Sequence, residues 1–290
     1  MGQIIRIGTR ESALAVAQAE LLRQSITARR PDCEVVLIKM KTEGDRVLDR
    51  RLDEIGGKGL FVKELDQALA QGRTDLSVHS LKDLPMEVPK EFPVLGYSRR
   101  EVPQDALVLP VRQSGIHAPI GTSSPRRAAQ LAELFEGCTV KPVRGNVLTR
   151  LQKLDNGEYG ALVLAAAGLL RLGLAHRISR LFSVSEMVPA AGQGILAVQG
   201  RKDFDKSLLK DFCDEDARWQ ALAERSFIRT LGGGCSAPVA AYADIQADTL
   251  TLTGLVVSGH GSVRRESLTA HRHKAEELGA ELARMISVST

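Results

Sequence analysis

A cysteine in a glycine-rich loop is the first residue of this sequence that could carry covalent chemistry. Cys235 follows three consecutive glycines at 232–234 and is followed by Ser-Ala-Pro. Glycines remove side-chain bulk beside the sulfur, so a large group could be attached to it. The alternative for any cysteine is a small buried hydrophobe, and no neighbouring base indicates a protease-like nucleophile. The glycine loop favours a functional thiol.

A candidate acid, Asp83, follows a buried-looking strand in residues 77–85, SVHSLKDLP. Pro85 prevents helical continuation of Asp83, and Lys82 stands beside it. A carboxylate in this position could accept N–H groups or exchange a proton. A turn-capping aspartate with a salt-bridging lysine explains the pattern equally well. We interpret His79 as a structural histidine with satisfied hydrogen bonds, not as a catalyst.

Residues 121–127, GTSSPRR, predict an anion site at a helix N-terminus. Ser124 is a good N-cap and Pro125 a good first helical residue. Arg126 and Arg127 then lie in the first turn, where unpaired N–H groups and the helix dipole already attract anions. Two cations there are locally unfavourable, which favours a bound anion. The alternative is an ordinary capped helix with solvated arginines.

Further arginines occupy places where a ligand crevice is expected. Arg10 and Arg144 follow predicted strands, Arg150 falls early in a helix, and Arg171 is predicted to begin one. The carboxyl ends of strands in open α/β sheets face the ligand crevice, so these side chains could converge there. Any one of them alone is better explained as a surface salt-bridge partner. Together they indicate a ligand rich in carboxylates or phosphates, because the planar guanidinium suits both.

The elements that must position these residues alternate between strand and helix over the first two thirds of the chain. The patterns predict strands at 4–7, 34–40 and 75–78, and helices at 12–29 and 60–71. Such alternation is typical of an α/β fold with mostly parallel strands. After about residue 211 a helix at 214–230, strands at 239–243, 250–257 and 263–269, and a terminal helix from 274 predict a small α+β domain.

A weak internal repeat suggests two similar domains. Residues 7–21 align with 120–134 so that Ile-Gly-Thr and Ala-Glu-Leu recur, and 33–36 correspond to 138–141. We infer two domains of similar topology facing each other, although chance can produce so short a match. The charged, glycine-rich stretch 46–58 is the best candidate for a mobile loop, and 188–194 reads as a crossover between domains.

Composition argues against several classes of function. Aromatic residues make up only 4% of the chain, which leaves little surface for stacking on nucleic-acid bases, and the net charge is a modest +4. No targeting segment or membrane-length apolar stretch is evident, and the four cysteines form no metal-binding pair. We therefore expect a cytoplasmic protein with free thiols, without a membrane, nucleic-acid or metal partner.

Seven motifs, taken together, resemble those of the porphobilinogen deaminase family in order and spacing over nearly the whole chain. They are GTRES at 8–12, KGLF at 58–61, VHSLKDLP at 78–85, GTSS at 121–124, RGN at 144–146, PAAGQG at 189–194 and GGC at 233–235. Two departures stand out, because Pro125 replaces a frequent leucine and Gln199 replaces a glutamate of some relatives.

The resemblance implies an α/β protein with two similar domains resembling type II periplasmic binding proteins, plus a small α+β C-terminal domain. Domain 1 would comprise residues 1–98 plus 194–212, domain 2 residues 99–193, and domain 3 residues 213–290. The active site would lie in the cleft between the first two domains.

The resemblance also implies a chemistry. A dipyrromethane cofactor would be held as a thioether on Cys235, and four porphobilinogens would be joined head to tail on it before linear hydroxymethylbilane leaves. Asp83 would be the catalytic residue, assisting departure of ammonia. The product would pass to uroporphyrinogen-III synthase, and we expect a monomer.

The family's site residues carry over onto matching positions. The cofactor would be bound by Cys235, Arg10, Ser12, Lys82, Asp83, Thr122, Ser123, Arg126, Arg127, Arg144 and Gly145. The substrate would be bound by Arg10, Lys58, Phe61, Ser80, Arg144, Arg150, Arg171 and Gln193.

Two other classes of function compete with this interpretation. A noncatalytic anion-binding protein of the periplasmic type would also have two similar lobes and a basic cleft, but it predicts a secretion signal and no role for Cys235. A nucleic-acid-binding protein is favoured only by the positive charge and opposed by the scarcity of aromatics.

Overall fold

The structure is a computed structural model that describes residues 4–46, 62–111, 118–233, 237–259 and 261–288. Cys235, Lys58, Phe61 and most of the loop predicted at 46–58 lie outside the described residues. The chain forms two compact units, one of Met1–Arg100 with Ile195–Arg218 and the other of Glu101–Gly194 with Trp219–Thr290. The three-domain division stays a prediction.

Strands and helices are mixed up to residue 171, with four strands in succession between residues 76 and 121, and three consecutive strands follow near the C-terminus. The strands are β1 Ile4–Arg10, β2 Glu34–Met40, β3 Leu76–Ser80, β4 Val94–Tyr97, β5 Asp105–Val108, β6 Ile120–Gly121, β7 Val140–Lys141, β8 Ala161–Ala165, β9 Arg180–Leu181, β10 Leu196–Gly200, β11 Val239–Gln246, β12 Thr249–Val257 and β13 Val263–His271. The α-helices are α1 Ala13–Arg29, α2 Glu43–Arg46, α3 Lys63–Ala70, α4 Pro125–Leu134, α5 Val147–Asp155, α6 Ala166–Arg171, α7 Glu215–Thr230 and α8 Ala275–Val288, and short 3-10 helices include Leu81–Asp83.

The sheet of the first unit has the strand order β2-β1-β3-β10-β4. Strand β1 is parallel to β2 and β3, whereas β10 runs antiparallel to β3 and β4. Alternate residues of the central strands, such as Ile5, Ile7 and Val78, pack with Leu22 and Ile26 of α1 in one buried core. Burial of this apolar face stabilises the packing of α1 on the sheet. Because side chains alternate along a strand, the residues between them on β3 point to the opposite face of the sheet.

The α/β sheet of the second unit repeats this plan with the order β7-β6-β8-β5-β9. Strand β6 is parallel to β7 and β8, and β5 is antiparallel to β8 and β9. The predicted similarity of two α/β sheets is therefore confirmed. The equivalent strand glycines, Gly8 and Gly121, are both surrounded so closely that a β-carbon would lie 3.0 Å from Met40 Cε or 2.5 Å from Leu162 Cδ2. Close packing around both strands therefore leaves little room for a side chain at either position.

The repeat alignment is wrong by one residue over the helices. The N-caps are Ser12 and Ser124, so the turn between strand glycine and helix is one residue shorter in the second copy. Gln18 of α1 then corresponds to Gln130 of α4, and both are buried. The recurring Ala-Glu-Leu is a coincidence of sequence, since helix register follows the cap and not the strand.

Three antiparallel strands, β11-β12-β13, and helices α7 and α8 form the predicted α+β segment. A β-carbon on Gly254 of β12 would meet the Phe227 ring of α7, and one on Gly279 of α8 would meet the backbone of Ala223. Two glycines thus allow both helices to pack closely. One helix prediction is wrong: Arg171 ends α6 and does not begin it, because β8 turns directly into the helix at Ala166.

Candidate active site

A small cavity of about 30 Å³ lies in the first unit, lined by both polar and apolar residues: Arg10, Ala15, Gln18, Val62, Val78, His79, Ser80 and Asp83. Arg10 is the last residue of β1 and Ser80 the last residue of β3, two parallel neighbours. Because parallel strands end at the same edge of a sheet, the fold brings these side chains together. Arg10, Ser80 and Asp83, three of the predicted site residues, therefore share one cavity.

Gln18 is a lining residue that the sequence analysis missed. It is buried on α1, and its Nε2 lies 3.0 Å from Ser80 Oγ, with Oε1 3.2 Å from the same hydroxyl. The pair links α1 to the end of β3 and fixes that wall of the cavity. The internal repeat could have revealed Gln18, because in the correct helix register Gln18 corresponds to Gln130, which is also buried.

His79 is a buried residue of β3, as expected for a structural histidine. Its side chain is 7% exposed and forms a hydrogen bond with Gln199 of β10. Burial lowers the pKa of His79 to about 4, with Arg10 acting in the same direction and a hydrogen bond with Gln199 opposing it. The ring is therefore neutral at physiological pH and lines the cavity with hydrogen-bonding capacity.

Asp83 ends the short 3-10 helix that follows β3, three residues beyond Ser80, and its side chain is exposed. Lys82 precedes it in the same turn. Ser12, a predicted cofactor ligand, caps α1, and its Oγ accepts a hydrogen bond from Ala15 N at 3.3 Å. The carboxylate is thus held at the cavity by a short helical turn while staying open to solvent.

The predicted helix cap of the second unit is confirmed, because Ser124 is the N-cap of α4 and Pro125 its first residue. The arginines that follow are not solvated. Arg126 and Arg127 are only 4% and 6% exposed, and both pair with the fully buried Asp105, with N–O distances of 2.7 Å and 2.6 Å. The cost of two cations at a helix N-terminus is thus offset by an internal carboxylate, so it no longer argues for an external anion.

Asp105 is the centre of a buried network that the sequence analysis missed. Burial alone, the largest influence, would raise its pKa, but the charges and hydrogen bonds of Arg126 and Arg127 lower the pKa well below its ordinary value. Gln193, a predicted substrate ligand, is fully buried and donates to Asp105 Oδ1 at 2.9 Å. Ligand contacts of these three side chains stay predictions. The sequence signal for Asp105 was a charged residue at the first position of an otherwise apolar strand.

The other predicted ligands of the second unit surround the ends of β6, β7 and α6. Ser123 Oγ bonds to both backbone groups of Val143, and Thr122 Oγ1 accepts from Ser124 N. Arg150 Nε donates to the carbonyl of Gly145, whose φ of +110° requires glycine. Arg144 lies in the same segment. The hydrogen bonds of Ser123 and Arg150 to backbone groups hold residues 143–145 in one conformation.

Arg171 donates to the carbonyl of Gly194 at 2.6 Å. Burial lowers the pKa of Arg171 to about 10, and the charge of Glu101 opposes that change. The guanidinium stays charged at neutral pH and supports the end of segment 188–194, which meets the boundary between the two units at Gly194. A positioning role is therefore visible for Arg171 whether or not it reaches a ligand.

A buried carboxylate on α7 fixes the other part of this segment. Glu224 is fully buried and accepts hydrogen bonds from Gly192 N at 2.6 Å and from Ala243 N at 2.7 Å. It thereby ties residues 188–194 to the first strand of the C-terminal sheet. Charge-assisted bonds of this kind are among the stronger hydrogen bonds in proteins.

Replacing Glu224 with alanine is therefore expected to lower the free energy of unfolding. Each of the two N–H groups left without an acceptor costs about 1–3 kcal/mol. Urea unfolding would measure the loss, with Glu281→Ala on the exposed face of α8 as the control. Equal stability of the two variants would contradict the clamping role.

The two sheets share one strand order, and Arg10 and Asp83 line a cavity at the carboxyl ends of parallel strands, so the structure defines an α/β protein with a site suited to an anionic ligand.

Comparison with known proteins gives the particular family. Residues 5–209 match the family described as porphobilinogen deaminase, dipyromethane cofactor binding domain, and residues 219–287 match the porphobilinogen deaminase C-terminal domain. A porphobilinogen deaminase of Acetivibrio thermocellus is 54% identical over 281 residues, covering 96% of both chains. One of Chromobacterium violaceum is 47% identical over 289 residues, covering 97% of this chain and 94% of the relative. The chain belongs to the porphobilinogen deaminase family, whose members are transferases of porphyrin biosynthesis with a dipyrromethane cofactor.

Solved structures with similar folds are more distant. A methionine-binding protein, MetQ, has a TM-score of 0.44 and 14% identity, covering 74% of this chain and 90% of that one. At this level of similarity the likeness says nothing about ligand or activity. Within the described residues, no helix combines the length and apolar character needed to span a membrane.

Proposed function

We propose that this chain joins four porphobilinogen molecules head to tail on a dipyrromethane primer attached to Cys235, releasing ammonia and linear hydroxymethylbilane. The observation that carries the proposal is the placement of Asp83 and Arg10 around one cavity, beside the carboxyl ends of parallel strands, in a chain of this family. The cavity offers both a carboxylate for a developing cation and a guanidinium for a substrate carboxylate.

The donor set fits a dipyrromethane, because each pyrrole carries an acetate and a propionate. Arginine and lysine side chains and the hydroxyl-bearing residues supply complementary charge and N–H or O–H donors. The residues proposed to hold the cofactor are Arg10, Ser12, Lys82, Asp83, Thr122, Ser123, Arg126, Arg127, Arg144 and Gly145, with Cys235 as its covalent anchor. When bound, the cofactor supplies the nucleophilic pyrrole carbon to which the first substrate is joined.

We assign the incoming substrate to Arg10, Lys58, Phe61, Ser80, Arg144, Arg150, Arg171 and Gln193. Asp83 would stabilise the positive charge that develops on the pyrrole as the aminomethyl nitrogen leaves. A charge-assisted hydrogen bond contributes roughly 1.5–3 kcal/mol, so several arginines together would retain the growing chain between additions.

For Arg126, Arg127 and Gln193 the network with Asp105 supports an additional positioning role. Arg126 also donates to Val188 O at 2.7 Å, and Arg127 to Val163 O at 3.0 Å. These bonds anchor the first turn of α4 to β8 and to segment 188–194. We propose that this anchoring fixes the direction in which neighbouring groups face the cofactor.

The finer organisation belongs to the same proposal. We propose domains at 1–98 plus 194–212, 99–193 and 213–290, a cytoplasmic location, a monomeric state, and transfer of the product to uroporphyrinogen-III synthase. The described cysteines Cys33, Cys138 and Cys213 are all free thiols, which supports a reducing compartment.

Intact-mass measurement of the freshly purified protein tests the proposed function. The protein is expected to be heavier than its polypeptide by two linked pyrroles, and Cys235→Ser should remove that adduct. Cys213→Ser, which changes an exposed thiol, should retain it. A wild-type mass equal to that of the polypeptide, with no activity after addition of preformed primer, would overturn the proposal.

A further inference from the structure

Glu224 connects the two elements that flank the loop carrying Cys235. Helix α7, on which Glu224 lies, ends at Thr230, and strand β11 begins at Val239. The Glu224 side chain is fully buried, and its Oε1 accepts a hydrogen bond from Ala243 N of β11 at 2.7 Å. The carboxylate thus fixes α7 against β11, and with them the two ends between which the loop is held.

The second oxygen of the same carboxylate binds segment 188–194, because Gly192 N donates to it at 2.6 Å. Apolar packing supports this connection, since Val188 forms one buried cluster with Ala240 of β11 and Leu255 of β12. Charge-assisted hydrogen bonds away from water are strong and geometrically restrictive. The segment and the flanks of the loop are therefore held together at a fixed spacing.

Segment 188–194 is bonded in turn to the helix that carries proposed cofactor ligands. Gln130 of α4 pairs with both backbone groups of Val188, at 2.7 Å and 3.2 Å. Arg126 donates to the carbonyl of Val188 at 2.7 Å. All of these residues belong to one compact unit. A continuous series of hydrogen bonds therefore leads from the flanks of the glycine loop, through Glu224, to a guanidinium assigned to the cofactor.

We propose that Glu224 is a positioning residue for covalent attachment of the cofactor: it holds the flanks of the Cys235 loop at a fixed distance from Arg126 and so presents the thiol to the carbon it must bond. The inference rests on the proposed function. In the attachment step, the Cys235 sulfur displaces the hydroxyl group of hydroxymethylbilane. A carbon–sulfur bond forms, the carbon–oxygen bond breaks, and the thiol proton leaves with the oxygen as water.

Position controls the rate of such a step, because a displacement of about 1 Å between reacting groups can cost about 100-fold in rate. Glu224→Gln keeps the size of the side chain and one oxygen acceptor, but its amide group turns a donor toward the second N–H. One of the two bonds is therefore lost. The guanidinium groups assigned to the cofactor carboxylates stay in place, so the variant should bind hydroxymethylbilane normally and attach it slowly.

Intact-mass kinetics on cofactor-free protein test the proposal. Protein made in cells that cannot form porphobilinogen is mixed with hydroxymethylbilane, and the mass of the adduct is followed over time. For Glu224→Gln the attachment rate at saturation should fall about 10- to 100-fold. The half-saturating concentration and the final extent of attachment should equal those of the wild type. A wild-type saturating rate in folded Glu224→Gln would overturn the proposal.

Ser226→Ala is the matched control, because Ser226 lies on the same helix, is 3% exposed, and donates to the carbonyl of Glu276 at 2.7 Å. The change removes a buried hydrogen bond of α7 but keeps the bonds to Gly192 and Ala243. The variant should unfold at a lower urea concentration and yet attach hydroxymethylbilane at the wild-type rate. Attachment that slows in both variants in proportion to lost stability would reduce Glu224 to a structural residue and overturn the proposal.

Hydrogen exchange tests the proposal without a change at Glu224, in case Glu224→Gln does not fold. Cys235→Ser cannot form the thioether, so it shows the protein before attachment. The amides of Gly192 and Ala243 should exchange slowly in this variant, at the rate of the loaded wild type, because Glu224 already holds them. Rapid exchange of both amides in folded Cys235→Ser would overturn the proposal.

The outcomes separate this inference from the function on which it rests. If the cofactor-free wild type takes up hydroxymethylbilane and Glu224→Gln does so at the same rate, only the positioning role is wrong. If the wild type forms no adduct at Cys235, the proposed function fails as well.

Discussion

Replacing Asp83 with asparagine is expected to lower the rate of porphobilinogen consumption by roughly 10²–10⁴, the range typical of removing a positioned acid or base. The amide keeps the size of the side chain but cannot carry the negative charge that balances the cation formed when ammonia leaves. The loss should therefore appear in kcat more than in KM, because the substrate carboxylates contact other residues.

Steady-state kinetics on protein whose mass confirms cofactor loading would measure this effect. Glu91→Gln is the matched control, because Glu91 is another exposed carboxylate of the first unit, outside the cavity. It should keep wild-type kinetics. Near wild-type turnover by loaded Asp83→Asn would show that the carboxylate has no part in the reaction.

Replacing Asp105 with asparagine is expected to cost about 3–5 kcal/mol of folding free energy, the usual loss when one partner of a buried ion pair is removed. Asp105 is fully buried and accepts from Arg126, Arg127 and Gln193. The amide leaves two buried guanidinium groups without their counter-charge. Thermal and urea unfolding would measure the loss.

Asp248→Asn is the control for this prediction, because Asp248 is 64% exposed and pairs with Arg272 at 3.0 Å. Exposed pairs contribute about 0–1 kcal/mol. If both variants lose the same small amount of folding free energy, Asp105 is not the centre of the network.

The stability difference between the wild type and Asp105→Asn should also depend on pH. The pKa of folded Asp105 is lowered, so its contribution is fully present above the unfolded pKa of about 4 and is lost as pH falls toward the folded value. We therefore expect a constant difference from pH 5 to 8 that narrows in acid. A difference that grows below pH 4 would contradict the direction of this shift.

Local patterns were enough to predict most elements and the caps. Apolar periodicity gave strands at β1 and β2 and a helix at α1, and the Ser124–Pro125 pair gave the start of α4. These features depend on short-range backbone and packing preferences, which neighbouring residues carry. The start of α6 was missed because the alanine and glycine residues before Arg171 belong to the helix itself, which follows β8 without a loop.

Pairings between distant residues could not be predicted in this way. Arg126 and Asp105 are 21 residues apart and Glu224 and Gly192 are 32 apart, so no local rule joins them. The sequence shows only that Arg126 and Arg127 follow the helix cap. Whether they face solvent or join an internal ion network depends on the buried partner, Asp105. Which charges a side chain meets depends on which strands become neighbours.

The sequence by itself determined the family, the repeated α/β plan, and the residue types able to bind carboxylates and to assist loss of an amine. Only the tertiary structure decided that Arg10, His79 and Asp83 share one small cavity, that Gln18 holds Ser80, and that Arg126 and Arg127 face Asp105. The physical reason is that residue type sets what a group can bond, whereas burial and strand order set what it meets and whether water can satisfy it.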